Sequence, residues 1–340
     1  MFQFPKDHSP FIIAEMSGNH NQSLQRALDI VKAAAATGVN ALKLQTYTAD
    51  TITMKGAHTI ADENSLWRGK ELYQLYQEAY TPWDWHKPIF DLANELGMVA
   101  FSSPFDETAV DFLESLNVPL YKIASFENTH HPLLRKVAAT GKPIIMSTGV
   151  ATLEEIEESV QVLRDAGCND ITLLKCTSTY PATPENTNLI TIPFLKNRFD
   201  CRIGLSDHTM GIGVSIASVG LGAAVIEKHF TLRRADGGVD SAFSMEPDEM
   251  AMLVKECQNA RLALGHIQLE VQSNEEKNRL FKRSIYVSKP IAKGEIFTTE
   301  NLKIIRPALG LPPREWNHVL GKKASSDLIA GHPLAQDNVQ

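Results

Sequence analysis

Two histidines have the types and positions that could do chemistry. His208 lies in Gly204-Leu205-Ser206-Asp207-His208-Thr209 and His229 in Glu227-Lys228-His229-Phe230-Thr231. Each closes an apolar, β-branched run that reads as a strand. Neutral imidazoles are common ligands of divalent metals. A lone histidine at a strand end is more often structural, but two on neighbouring strands favour a shared ligand role. Two imidazoles do not complete an octahedral shell. Waters and substrate oxygens must supply the rest, which suits Mn²⁺ or Mg²⁺ better than a structural zinc.

Charged residues stand in other apolar runs: Glu15 in the first, Lys43 in Ala41 to Tyr47, and Lys122 in Leu120 to Ser125. A charge in a covered strand is costly unless it is paired or faces an open mouth. Lys43 could instead snorkel from a strand end. Lys228 points away from Glu227 and His229 by strand alternation and reads as a layer or outer residue. Cys176 reads as packing, since no base is placed beside it. His20 reads as a helix cap or a support behind the site, and Tyr180 before Pro181 as either packing or site.

These residues need a scaffold that brings distant segments to one place. Eight strand-like runs occur in the first 265 residues: Phe11 to Met16, Ala41 to Tyr47, Met98 to Ser102, Leu120 to Ser125, Pro143 to Thr148, Ile171 to Ser178, Arg202 to Ser206 and Ala224 to Phe230. Their nearly continuous apolar character fits a parallel sheet covered on both faces. Helical patterns alternate with them. Leu24 to Ala36 stops at Gly38, and a capping box at Thr152 to Glu155 opens a helix that stops at Gly167. Eight βα units in series favour a closed (β/α)₈ TIM barrel, whose chemistry sits where the strands end. Residues 48–83 interrupt the alternation with Trp67, Tyr73, Tyr76, Tyr80 and Trp83. They read as a long loop packed by aromatics or as a wall over the mouth.

The domain reading is a barrel over 1–265, a charged linker over 266–282, and a short β-rich, Gly/Pro-punctuated module over 283–340. That module is small for an independent core and is expected to lean on a barrel. The chain has 340 residues and net charge -7, which argues against general nucleic-acid binding. There is no apolar run of about 20 residues, so no membrane span is expected. The start, Met1 to His8, lacks the features of a signal peptide. Cys168, Cys176, Cys201 and Cys257 lack zinc-like pairing and read as reduced thiols of a cytoplasmic protein.

The motifs also carry a resemblance. Glu15-Met16-Ser17-Gly18-Asn19-His20-Asn21, Lys43-Leu44-Gln45-Thr46, Ser102-Ser103-Pro104-Phe105, Lys122 to Glu127, Ser147-Thr148-Gly149, Cys176 to Pro181 and the two histidine motifs stand in the order of the sialic acid (nonulosonic acid) synthase family. The tail resembles that family's antifreeze-like (SAF) domain. Glu15 to Asn21 and Gly238 to Ser244 resemble the branch that makes pseudaminic acid. The resemblance implies a transferase that condenses phosphoenolpyruvate with an amino sugar, assisted by a divalent metal at His208 and His229, and expels phosphate by C–O cleavage.

It further implies that Lys43, Gln45, Ser103, Lys122, Ser125, Ser178 and Ser206 bind substrate, the lysines and serines holding phosphoenolpyruvate. Ser178 stands where the family often has Asn and has a shorter reach. Glu127 would orient or deprotonate the water. Glu15 would lie near the metal and sugar, and Asp240 and Tyr180 would meet sugar hydroxyl or acetamido groups. The acceptor implied is a 6-deoxy diacetamido hexose, with Ala242 or Phe243 as apolar neighbours. Arg306 is expected to enter the partner's site in a domain-swapped homodimer. The competing readings are an N-acetylneuraminic or legionaminic acid synthase and a non-catalytic sugar-binding or antifreeze-like protein. The buried charges argue against the last.

Overall fold

The computed structural model describes residues 2–5, 9–63 and 66–340. Met1 and residues 6–8, part of the stretch read for a signal peptide, lie outside the described residues, as do 64–65 of the insertion. The chain divides into two compact units, Met1–Gly265 and His266–Gln340.

The first unit is a closed barrel of eight parallel strands in sequential order. They are β1 (Phe11–Glu15), β2 (Ala41–Thr46), β3 (Val99–Pro104), β4 (Tyr121–Ile123), β5 (Ile144–Ser147), β6 (Ile171–Cys176), β7 (Arg202–Ser206) and β8 (Val225–His229). The outer helices are α1 (Leu24–Ala36), α2 (Ala49–Ile52), α3 (Leu72–Ala79), α4 (Trp83–Glu95), α5 (Glu107–Ser115) and α6 (His131–Ala138). They continue with α7 (Leu153–Asp165), α8 (Pro184–Thr187), α9 (Thr191–Phe199), α10 (Gly213–Gly220) and α11 (Pro247–Leu264). Local chemistry sets several ends. Ser23 accepts from the Arg26 amide at 3.3 Å, and Thr152 and Glu155 exchange bonds of 3.2 and 2.7 Å as a capping box. Gly38 and Gly167 leave their helices at φ +83° and +93°.

Strand alternation sorts the barrel residues into two sets. Phe11, Ile13, Ala41, Phe101, Leu120, Ile145, Leu174 and Val225 cluster together inside the barrel. The alternate residues, such as Ile12, Leu42, Tyr121 and Ile226, pack against the helices. Continuing the inward set toward the strand ends gives Glu15, Lys43, Gln45, Ser103, Lys122, Ser147, Cys176, Ser206, Glu227 and His229. The inside is therefore apolar in its lower layers and polar at the top. At Gly204 a Cβ would stand 2.3 Å from the Val225 carbonyl oxygen and 2.6 Å from Leu174 Cδ2, so the filled layer admits only glycine.

Some strands are shorter than their apolar runs. β4 stops at Ile123, and Ser125 lies in a 3₁₀ turn over Ser125–Glu127. β6 stops at Cys176, leaving Ser178 on the loop beyond. Lys43 is third in β2, not at its end. The barrel stagger nevertheless pairs Lys43 with Glu15, and Glu15 with His229, at one level.

The second unit has its own core of Ile285, Val287, Ile291, Phe297, Leu302, Leu328 and Leu334. β9 (Ser284–Val287) pairs antiparallel with β10 (Leu302–Ile305). Residues Glu276–Phe281 form a 3₁₀ helix. No helix among the described residues is long and apolar enough to cross a membrane.

Candidate active site

Four buried charges form the floor. Lys43 Nζ lies 2.6 Å from Glu15 Oε2 and 3.6 Å from Glu227 Oε2. Lys122 Nζ lies 3.7 Å from Glu227 Oε1, which also accepts from Ser206 at 3.1 Å. Burial opposes the charge on Lys43, but Glu15 and Glu227 outweigh it and its pKa ends raised. Lys122, with weaker compensation, is lowered by burial. Burial likewise works against an ionised Glu227, yet the two lysines hold its carboxyl below the usual range. Burial wins at Glu15, whose pKa is raised. Two lysines with donors beside them suit a small polyanion such as a phosphorylated carboxylate.

Those donors form a cradle. Lys43 donates to Ser103 Oγ at 3.3 Å and Lys122 to Ser147 Oγ at 2.7 Å. The Gly149 amide donates to Ser125 Oγ at 3.2 Å. A Cβ at Gly149 would come within 2.2 Å of Ser178 Oγ, 2.7 Å of Ser125 Oγ and 3.2 Å of Cys176 Sγ. Asn128 donates to the Ser147 and Gly149 carbonyls at 3.4 and 3.1 Å and fixes this loop.

The histidine rings stand with centroids 5.4 Å apart. His208 Nδ1 donates to the Thr177 carbonyl at 3.0 Å, which fixes the ring orientation. Its other neighbour is Cys176. Burial alone would raise that thiol, but the His208 hydrogen bond and charge bring it down to about 7. This corrects the reading that no base stands beside Cys176: the two residues lie 32 positions apart in sequence and meet only through the β6–β7 pairing. His208 is raised in turn, because Cys176 outweighs burial. His229 is driven well below the usual value, first by burial and then by His208 and the lysines.

Asp240 Oδ2 lies 4.0 Å from His229 Nδ1 and accepts from Ser17 Oγ. Burial raises the Asp240 carboxyl despite that bond. Gln45 Nε2 donates to Glu15 at 2.9 Å and Ser17 at 3.1 Å. Tyr180 packs at 4.5 Å on His208 and bonds to Ser178. Phe243 stacks edge-on at 4.9 Å against His229. Phe243 thus braces the His229 ring, while Ala242 lines a neighbouring cavity with Gly18, Asn21 and Lys70 that shares Trp67 and Val239 with the main one.

The main cavity has a volume of about 650 Å³ and is lined by Gln45, Ser125, Glu127, Tyr180, His229 and Asp240 among others. That is room for a six-carbon sugar. The Glu127 carboxyl is pushed up to about 7 by burial, against the pull of Lys122. A carboxyl with that pKa can take a proton from water near neutral pH. Ile52, Leu72 and Tyr76 of the 48–83 insertion also line this cavity, so the insertion is a wall as well as a packed loop. Lys228, as alternation requires, turns away and pairs with Asp207 at 3.0 Å. His20 is buried against Thr81 at 3.1 Å. Arg306 belongs to the second unit and is solvent-exposed.

Sequence reasoning left Ser147, Gly149, Asn128 and Glu227 without roles. For Ser147 and Glu227 the signal was available, since both share the inward phase of Lys122 and His229. The two imidazoles fit a divalent ion in their donor chemistry. His229 Nδ1 is buried without a hydrogen-bond partner, and its ring is held neutral, as a ligand must be. Among the described residues no group of three or more His, Cys, Asp and Glu could hold an ion, so oxygens of water or substrate would complete the shell.

The NeuB family matches residues 30–269, and the SAF domain matches 282–340. The chain belongs to the NeuB family. It is 43% identical over 338 residues to the pseudaminic acid synthase of Campylobacter jejuni, covering 99% of this chain and 98% of that one. It is 36% identical to the N,N'-diacetyllegionaminic acid synthase of Legionella pneumophila, covering 97% and 94%. The crystal structure of N-acetylneuraminic acid synthetase from Leptospira borgpetersenii, in complex with citrate, superposes with a TM-score of 0.71 at 33% identity, over 80% of this chain and 90% of that one. This NeuB-family chain thus joins a (β/α)₈ barrel to a SAF domain.

Proposed function

We propose that this chain is a pseudaminic acid synthase. It would condense phosphoenolpyruvate with 2,4-diacetamido-2,4,6-trideoxy-β-L-altropyranose and water, giving pseudaminic acid and phosphate. The observation that carries this reading is the higher identity, over nearly the whole of both chains, to a pseudaminic acid synthase than to a legionaminic acid synthase.

The geometry supports a sequence of steps. Lys43 and Lys122, with Ser103, Ser125, Ser147, Ser178 and Ser206, hold the phosphate and carboxylate of phosphoenolpyruvate. Carbon 3 attacks the aldehyde carbon of the open-chain sugar, and carbon 2 becomes electron-poor. Glu127 accepts a proton from a water that adds to carbon 2. The resulting tetrahedral centre collapses to the ketone and expels phosphate with its bridging oxygen; of the two protons of the water, one ends on the former aldehyde oxygen, now a hydroxyl, and the other on the departing phosphate. Asp240, Gln45 and Tyr180 orient the sugar, and Glu15 keeps Lys43 charged and in place. A divalent metal such as Mn²⁺ or Mg²⁺, held by His208 and His229, would polarise the sugar aldehyde.

Phosphoenolpyruvate labelled with ¹⁸O at its bridging oxygen tests the route. The label should leave in phosphate. Phosphate without the label would overturn the C–O cleavage step.

Two further parts belong to the same proposal. The exposed Arg306, whose planar fork can bridge carbonyl and hydroxyl oxygens, would reach the sugar in a partner's site within a domain-swapped homodimer. The four free cysteines support a reducing, cytoplasmic setting.

A further inference from the structure

The main cavity is lined by two chemically different sets of residues. One set is Gln45, Ser125, Glu127, His229 and Asp240, and Gln45 shares Glu15 with the buried Lys43. The other is Ile52, Ile60, Leu72, Leu75 and Tyr76, all from the 48–83 insertion, together with Phe105. His58 and Asp62 are the polar members of that second wall. The insertion is anchored at several points. Trp67 Nε1 donates to the Val239 carbonyl at 3.0 Å, one residue before Asp240. Tyr73 donates to Asp50 at 2.9 Å and ties α3 to α2. Tyr47 meets Tyr76 and Phe105 edge-on at 5.6 and 5.1 Å.

An apolar wall is an unusual surface to offer a sugar. A hydroxyl placed against Ile52, Ile60 or Leu72 loses its water and gains no partner, whereas a methyl group loses nothing. The reacting carbon must lie near the lysines that hold the other substrate. The far carbons of an open six-carbon chain extend away from them, and the insertion supplies apolar surface of the same cavity that can meet them.

We propose that the 48–83 insertion is the element that selects the acceptor, and that Ile52, Ile60, Leu72 and Tyr76 with Phe105 receive the methyl-bearing end of the sugar. This deepens the assignment above and rests on it. A 6-deoxy acceptor should therefore outcompete its 6-hydroxylated counterpart by roughly ten- to two-hundredfold in kcat/KM.

The test compares two acceptors that differ only in the 6-hydroxyl, using Ile52→Asn, Ile60→Asn and Leu72→Asn, with Ile52→Val as the conservative control. The polar variants should lower kcat/KM for the 6-deoxy acceptor about tenfold, while the value for the 6-hydroxylated acceptor holds or rises. KM for phosphoenolpyruvate should not move, and Ile52→Val should retain the native ratio. Three separate positions keep the test open if one variant fails to fold. Equal losses for both acceptors in the folded variants would overturn the wall as a selector. Failure of the native protein to use either diacetamido sugar would instead overturn the functional assignment beneath it.

Discussion

The Glu15 carboxylate lies 2.6 Å from the Lys43 ammonium, and both side chains are almost wholly shielded from water. Such a pair stands only while both partners remain. Lys43→Met would leave Glu15 and Glu227 facing each other without their shared cation. The expected cost is about 3 kcal/mol, the lower end for breaking a buried pair, because the raised pKa of Glu15 lets it take up a proton. Urea unfolding should show this loss together with loss of activity. Adding Glu15→Gln should restore much of the stability and none of the activity. Native stability in the single variant would contradict the pairing.

Glu127 sets a pH dependence. Burial raises its pKa to about 7, and a general base works only when deprotonated. Activity should therefore rise with pH through about 7 and fall below it. Glu127→Gln should lower kcat by roughly 10²- to 10⁴-fold and remove that limb of the profile. An unchanged limb in the variant would assign it to another group.

The metal is expected to depend on His229 more than the fold does. Chelation should abolish activity, and Mn²⁺ or Mg²⁺ should restore it. His229→Ala should fold, because the residue stands at the mouth above the apolar layers. It should lose Mn²⁺ binding, read directly by electron paramagnetic resonance. The affinity of the native protein should weaken as pH falls. Protons compete with the ion for the imidazoles, and Cys176 raises the His208 pKa, which strengthens that competition. Full activity in a chelator-treated sample would remove the metal from the account.

Much of the barrel is legible in the sequence, because strands covered on both faces leave continuous apolar runs and helices announce their caps. The ends are less legible. Apolarity alone does not show that β4 stops at Ile123 or that Ser125 sits on a turn. Glu15, Lys43, Lys122 and His229 could be singled out because charge or imidazole in an apolar run asks for a reason. Cys176 could not, since its partner His208 comes from another strand and only closure of the sheet brings them together. The insertion's apolar residues in the cavity are not legible either, because their contacts with the mouth depend on long-range packing such as Trp67 on Val239.

The swapped arrangement makes a prediction of its own. If Arg306 serves a partner's site, Arg306→Ala on one chain and His229→Ala on the other place both lesions in the same site of a mixed dimer. One site then carries both lesions and the other none. Random pairing gives mixed dimers in about half the population, so about a quarter of sites should recover activity on co-refolding. Verified mixed dimers with no recovery would refute it.

The acceptor is the central claim, and direct competition measures it. Equal amounts of 2,4-diacetamido-2,4,6-trideoxy-β-L-altropyranose and N-acetylmannosamine are offered with limiting phosphoenolpyruvate and Mn²⁺, and the nine-carbon acids are resolved by mass. The account predicts pseudaminic acid as the dominant product, with one phosphate released per acid formed. N-acetylneuraminic acid in equal or greater amount would contradict it and move the chain to the sialic acid branch of its family.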